Sequence, residues 1–330
     1  MTGDSLPIAT EVLTSGYVSM DHMVRVKTPV RVGYTSLISN ASCNTINYGG
    51  CSVNIAYALA QLSVAAAPVL RVGNDWENNG FRAFLEKGNV RTYAIEVIPS
   101  EITSLSYMVE DPEGQHICLF YPGSMDACYA HKLPEKLFEG VSLAVITVGS
   151  RPDNEEFFHQ CKTHKVPVAF GMKCDFDAFP QSFLLQLLRG SQVIFSNEGE
   201  RDYLVDQFAL GSIEELFEYE AKVIVTTKGA NGSCYAAKLP DGTIEHGSLG
   251  CCPVDEIVDA TGSGDAYMSG FIYGYLRGYD LKDCCALGAT LSAFVLEKEG
   301  CCAGVPDEME LLERFTAFRK SMSFDEGNNR

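Results

Sequence analysis

The stretch Val258-Asp259-Ala260-Thr261-Gly262-Ser263-Gly264-Asp265-Ala266-Tyr267 carries residue types suited to moving a phosphoryl group. An apolar run ends at Val258, two glycines bracket a serine, and Asp265 opens a segment read as a helix over 266–279. Glycine lets backbone turn tightly and come close to a ligand. The first N–H groups of a helix lack partners within it, and the helix dipole favours an anion there. Gly262, Ser263 and Gly264 are therefore expected to aim backbone donors at one anion. A carboxylate at the edge of such a hole is electrostatically awkward unless it has a task, and taking a proton from an attacking hydroxyl is one. The same pattern also serves as a plain strand-to-helix connection, so its meaning depends on the rest of the chain.

Other stretches supply compatible chemistry. Asp21 closes the apolar run 9–21, at the carboxyl end of an expected strand, where open α/β sheets bind ligands; a turn aspartate is the other reading. Gly49 and Gly50 lead a second helix, and Asn54, one turn in, offers both a donor and an acceptor to a hydroxyl-bearing substrate. Positions three apart share a helical face, so Asn197 and Glu200 either order waters around Mg²⁺ or simply open a helix. Gly229 and Gly232 follow a buried strand, 222–227, and suit backbone approach by a nucleotide as well as a bland turn. Tyr107 and Phe120 either stack on a ring in the ligand or pack as strand aromatics do.

The elements that must position these residues alternate. Strands at 68–75, 141–150, 166–172, 191–197 and 222–227 are separated by helical stretches, the rhythm of a mostly parallel sheet. Two regions break it. Residues 22–48 are β-branched and rich in Pro and Gly, and 102–121 reads as a β-hairpin around Asp111-Pro112-Glu113-Gly114. Together they are expected to form a small antiparallel lid. The expected organisation is therefore 1–21 as the first part of the main α/β domain, 22–48 as lid strands, 49–101 as main domain, 102–121 as lid hairpin, and 122–330 as main domain with the nucleotide site and Asp265. The tail, 323–330, is expected to fray.

Composition sets the limits. The 330 residues suffice for one large α/β domain or two smaller ones, and 46% hydrophobic with 21% charged residues describes a folded chain. A net charge of −18 argues against nucleic acid as a partner, but leaves room for a small anion held by backbone N–H groups and a metal ion. No apolar run reaches membrane-span length and the N-terminus lacks a signal-peptide pattern, so a cytoplasmic protein is expected. The 13 cysteines include adjacent pairs at 251/252, 284/285 and 301/302 without zinc-site spacing, which favours reduced thiols.

Taken in order, Asp21, Gly49-Gly50-x-x-x-Asn54, Asn197-x-x-Glu200, Thr227-x-Gly229-x-x-Gly232 and Asp259-x-Thr261-Gly262-x-Gly264-Asp265 span nearly the whole chain. This series resembles the PfkB/ribokinase family of carbohydrate and nucleoside kinases, most closely its bacterial and archaeal adenosine kinase-type members. There is no GxxxxGK[ST] loop. The resemblance implies a three-layer α/β/α ribokinase-like fold with a mostly parallel central sheet and a small β-sheet lid. It implies ATP-dependent phosphorylation of a primary hydroxyl, with Asp265 as general base and Gly262, Ser263 and Gly264 as anion hole. Asp21, Gly49, Gly50 and Asn54 would hold substrate hydroxyls, and Thr227, Gly229 and Gly232 would line the ATP site. Asn197 and Glu200 would support Mg²⁺ through water, and K⁺ would sit near Asp259, Thr261 and the 299–304 loop.

Departures from the family pattern are Ala260, Ser263 and Gly171-Met172-Lys173, where Lys173 would bring positive charge near the phosphates. Phe120-Tyr121-Pro122-Gly123-Ser124-Met125 is similar to a stretch of the adenosine kinase-type members, whose lid aromatics stack on the purine. That favours a nucleoside acceptor. The alternatives are a sugar kinase for ribose, fructose or a related sugar, and a non-catalytic ligand-binding protein of the same fold. A homodimer through the lid is also compatible.

Overall fold

In a computed structural model, which describes residues 10–328, consecutive residues along the central strands pack into two different cores. Val12 of β1 (Val12–Ser15) faces one core and Leu13 the other. Side chains alternate across a strand, so a sheet covered on both faces needs unbroken apolar runs.

The chain leaves β1 through β2 (Ser19–Arg25) and β3 (Asn47–Gly49), then enters α1 (Cys51–Gln61), β4 (Ala66–Gly73), α2 (Phe81–Lys87) and β5 (Ile95–Ile98). The hairpin β6 (Leu105–Glu110) and β7 (His116–Tyr121) follows. Alternation then resumes with β8 (Leu143–Ile146), α3 (Arg151–Thr163), β9 (Val168–Gly171), α4 (Gln181–Gly190), β10 (Val193–Asn197) and α5 (Glu198–Gln207). The last part comprises β11 (Val223–Thr227), β12 (Ser233–Lys238), β13 (Ile244–Leu249), α6 (Ser263–Leu276), α7 (Leu281–Leu296) and α8 (Glu308–Asn328).

Nine strands form the large sheet in the order β13-β12-β11-β10-β9-β8-β1-β4-β5. Its neighbours are parallel except at β11-β12 and β12-β13. Helices α1, α2, α6, α7 and α8 bury residues such as Val53, Phe81, Phe271, Leu287 and Phe315 in one core. The other core takes Phe157, Phe183 and Leu204 from α3, α4 and α5. The result is the expected three-layer ribokinase-like fold. A separate sheet, β3-β2-β6-β7, is the smaller one; it is antiparallel at β2-β3 and β6-β7 but parallel at β2-β6, not antiparallel throughout as expected.

Helix α6, which carries Asp265, is set by close contacts. A Cβ on Gly270 would lie 2.5 Å from Leu287 O, and one on Gly288 would lie 2.7 Å from Tyr267 O, so α6 and α7 meet backbone to backbone. At the far end of α6, Arg277 donates to Glu11 at 3.0 Å and to Ser63 O at 3.1 Å.

Several boundaries differ from expectation. Asp21 lies inside β2 of the smaller sheet rather than at the end of a main-sheet strand, because Gly16 and Tyr17 break the run and the chain crosses over before Ser19. The stretch 26–46 is largely exposed loop with one bridge, Val26–Ile38. β5 and α8 were not expected, and α8 carries the backbone on to Asn328 through most of the tail expected to fray. The expectations for residues 1–9 and 329–330 lie outside the described residues. Among the described residues, no helix is long and apolar enough to cross a membrane.

Candidate active site

Gly262 caps α6 with φ +80°, the left-handed region that favours glycine, and a Cβ there would lie 2.8 Å from that of Cys301. The turn uses one of the three expected donors internally: Ser263 N–H reaches Ala260 O at 3.2 Å. The Gly262 and Gly264 N–H groups take no partner among the described residues, and the space over Gly264 is open. Asp265, the third residue of α6, is 5% exposed. Its Oδ2 accepts from Asn54 Nδ2 at 2.8 Å, so the two helix starts, 211 residues apart, meet at one carboxylate.

On the acceptor side, Gly50 has φ +97° and lies so close to Tyr17 O that a Cβ would sit 2.2 Å away. A Cβ on Gly49 would come within 2.9 Å of Asp21 Oδ2 and 3.7 Å of Asn54 Oδ1, so bare backbone separates these two polar groups. Asp21 accepts from the hydroxyls of Ser19 and Ser106, the latter at 2.5 Å, which orient its carboxylate.

The register of the smaller sheet separates the two expected aromatics. Asp21 pairs with Ser106, and Ser106 with Phe120, so these three share a face. Tyr107 pairs with Leu119 and its ring stacks on His22, 5.1 Å away, on the opposite face. Tyr107 therefore lies on the face away from Asp21, and Phe120 on the Asp21 side. The ring that meets Phe120 is Tyr17, at 4.9 Å. Burial, and then Asp175, Asp153 and Asp126, push the Tyr17 hydroxyl up to about 12.

On the other side of α6 lies a cavity of about 520 Å³ lined by Thr227, Gly229, Gly232, Ser263 and Gly264. Val254, Ile257, Ala293 and Leu296 form its apolar walls. Asn197 and Glu200 make a reciprocal cap of α5: each side chain accepts from the other's backbone N–H at 2.8 Å. Burial pushes the Glu200 carboxyl up, with the Asn197 N–H and the Lys173 charge opposing it. For Lys173, desolvation pulls the ammonium down, but Cys51, Asp265 and Glu200 outweigh it and raise its pKa. Lys173 thus lies within the fields of both carboxylates.

Asp259 joins the loops on either side of Gly262: Oδ1 accepts from Thr261 N at 2.8 Å and Oδ2 from Gly300 N at 3.0 Å. Burial raises this carboxyl, yet the Thr261 and Gly300 bonds lower it more, and it stays ionised. Among the described residues no group of three or more His, Cys, Asp or Glu is placed to hold a metal.

Sequence reasoning missed Tyr17, Ser19, Ser106 and a cluster of thiols. Cys51, Cys301 and Cys302 surround Asp265; burial first, then the neighbouring charges, raises all three. Ser106 and Phe120 sit at equal distances from the hairpin turn, a parity the sequence does contain. The thiols offered no such signal, being scattered over the chain.

A pfkB family carbohydrate kinase model matches residues 9–308. The chain is 26% identical to a nucleoside kinase of Methanothermobacter thermautotrophicus, over 82% of this chain and 85% of that protein. In structure it is similar to the nucleoside kinase of Methanocaldococcus jannaschii, with TM-score 0.84, 23% identity, and 94% and 99% of the two chains covered. An Arabidopsis thaliana ribokinase complexed with ribose and ATP gives TM-score 0.80 at 17% identity, covering 93% and 99%. With a matched model across nearly its full length, the chain belongs to the pfkB family of carbohydrate kinases and is a phosphotransferase with an alcohol group as acceptor.

Proposed function

We propose that this kinase transfers the γ-phosphoryl of ATP to the 5′-hydroxyl of a nucleoside, adenosine or a close relative. The observation that carries the nucleoside reading is Phe120, an exposed aromatic on the same sheet face as the hydroxyl-binding Asp21 and ring to ring with Tyr17. A flat aromatic base has more apolar ring area to stack on such a surface than a hydroxyl-studded free sugar. The relatives named nucleoside kinase support it.

In this reading the acceptor lies over Gly49 and Gly50, its ribose hydroxyls on Asp21 and Asn54. Asn54 occupies Oδ2 of Asp265, leaving Oδ1 to take the 5′-hydroxyl proton as the oxygen attacks phosphorus. The Gly262 and Gly264 N–H groups stabilise the charge on the transferring phosphoryl, and Lys173 adds positive potential. The 520 Å³ cavity houses the ATP base and ribose. The smaller sheet closes over the acceptor and excludes water, the competing nucleophile.

Mg²⁺ binds through few protein carboxylates, phosphate oxygens and water, and the single hard oxygen donor set at Asn197 and Glu200 fits that; it would neutralise phosphate charge. Asp259, ionised and tied to both loops, fits a nearby K⁺. The outer face of the smaller sheet exposes Tyr107, Ile117, Leu119 and Tyr121, which suits a homodimer through the lid. The thirteen free cysteines suit a reducing, cytoplasmic setting.

The test is ADP release from Mg-ATP with adenosine, other nucleosides, ribose and fructose as separate acceptors, beside Asp265→Asn. Turnover with nucleosides that falls by roughly 10²- to 10⁴-fold in Asp265→Asn is expected. Turnover on a free sugar alone would sink the nucleoside reading, and Phe120 would then be a packing residue.

A further inference from the structure

Cys302 and Asn54 lie 248 residues apart and touch in the cleft: Cys302 Sγ donates to Asn54 Oδ1 at 3.5 Å. Asn54 Nδ2 donates in turn to Asp265 Oδ2 at 2.8 Å, and all three side chains are buried. We propose that Cys302 is a positioning residue for phosphoryl transfer: its thiol holds the Asn54 amide with the NH₂ end toward Asp265 throughout the catalytic cycle. The inference rests on the kinase reading with Asp265 as base.

The two ends of an amide are almost the same size, so its partners decide which way it faces. While Asp265 is ionised, its charge attracts Nδ2, with the Cys301 side chain beside the same amide. Once Asp265 has taken the hydroxyl proton, that attraction drops to a neutral hydrogen bond and the amide becomes free to turn. A turned amide would accept from the new carboxylic O–H and stabilise the protonated base. A thiol is a weak donor and a weak acceptor, and Oδ1 is the better partner for its S–H than Nδ2 is for its sulfur. Cys302 therefore disfavours the turned state. Burial, with Cys301 and Asp265 alongside, keeps this thiol protonated, so the donor is present across the working pH range.

The consequence is that Nδ2 stays on the carboxylate and supports only its ionised, proton-accepting form. Two readouts test this. In Cys302→Ala, and in Cys302→Val, which refills the volume without a donor, kcat is expected to fall roughly three- to tenfold with acceptor KM nearly unchanged. The acidic limb of kcat moves up by about half a pH unit, and Cys302→Ser, which keeps a donor, recovers most of the loss. Equal losses in Ser, Ala and Val with an unmoved acidic limb would overturn the proposal in favour of packing.

The second readout needs no turnover. The Asn54 side-chain amide resonances, identified by their loss in Asn54→Ala, follow the ionisation of Asp265 in the folded enzyme. Their titration midpoint should rise in Cys302→Val and not in Cys302→Ser. A midpoint unchanged in Cys302→Val overturns the positioning role whatever the activity assays give, while absence of wild-type turnover with a shifted midpoint would fault only the kinase reading.

Discussion

Tyr17 and Phe120 meet with their ring centroids 4.9 Å apart, one from the segment leaving the large sheet and the other from the smaller sheet. The contact marks where an acceptor base would enter. A base sliding beside these rings would cover the exposed face of Phe120 and gain an aromatic contact.

Phe120→Ala is expected to raise the nucleoside KM about tenfold, the effect of losing a stacked ring, with little change in ATP KM. Tyr107→Ala, on the opposite face, should leave acceptor KM within experimental error. Steady-state kinetics with each substrate varied in turn checks both. Equal effects of the two substitutions would mean that the faces do not differ in function.

Much of this arrangement was legible in the sequence. The alternation of strands and helices follows from apolar runs, and Asp265, Asn54 and the glycines stood out by their chemistry: a carboxylate beside backbone donors, an amide one turn into a helix, and bare backbone. Asp21 was found but misplaced, since the run 9–21 reads as one strand until Gly16 is seen to end it. Tyr107 and Phe120, both taken as candidate stacking rings, fall on opposite faces because Ser106, not Tyr107, pairs with Phe120 across the hairpin. The thiol contacts with Asn54 and Asp265 are tertiary, joining residues 51, 54, 265, 301 and 302, and no local pattern announces them.

Gly262 holds φ +80° with Cys301 beneath it. An alanine there meets both the backbone strain and a Cβ contact of 2.8 Å, so the cap must shift. The expected cost is about 1–3 kcal/mol in stability. Displacing the Gly262 N–H should also lower kcat on the order of 10²-fold, the usual effect of losing one anion-hole donor. Melting curves and kcat on the same preparation check the two effects; a normal kcat in a destabilised variant would remove Gly262 N–H from the anion hole.

Arg71 of β4 fastens the segment that returns from the smaller sheet. It donates to Ser124 O at 2.8 Å and Asp126 O at 3.1 Å, and makes a two-pronged pair with Asp153. Its side chain is 6% exposed, so removing one partner leaves a charge without water. Arg71→Met is expected to cost about 3–5 kcal/mol in denaturant unfolding, and Arg71→Met with Asp153→Leu to recover part of it. A double variant no better than the single would show that the carbonyl bonds, not the ion pair, dominate.

The pH dependence of stability can be traced to a group outside the cleft. Glu11 precedes β1 and accepts from Arg277 at 3.0 Å and from Ala65 N at 3.2 Å, tying the far end of α6 to the large sheet. Burial raises its carboxyl, but the Arg277 bond, the Ala65 N–H and the Arg277 charge lower it more. The folded pKa therefore lies below the unfolded one, and the unfolded chain binds the proton more readily. The stabilisation is fully present above the unfolded value, ordinarily about 4.3, and is lost as pH falls through the folded one. Glu11→Gln should accordingly melt below the wild type at pH 7, with the gap narrowing as the pH is lowered from about 5 toward 3. A gap that held constant over that range would mean that the carboxylate's charge contributes nothing, and that Arg277 is held by its bond to Ser63 O and by packing alone.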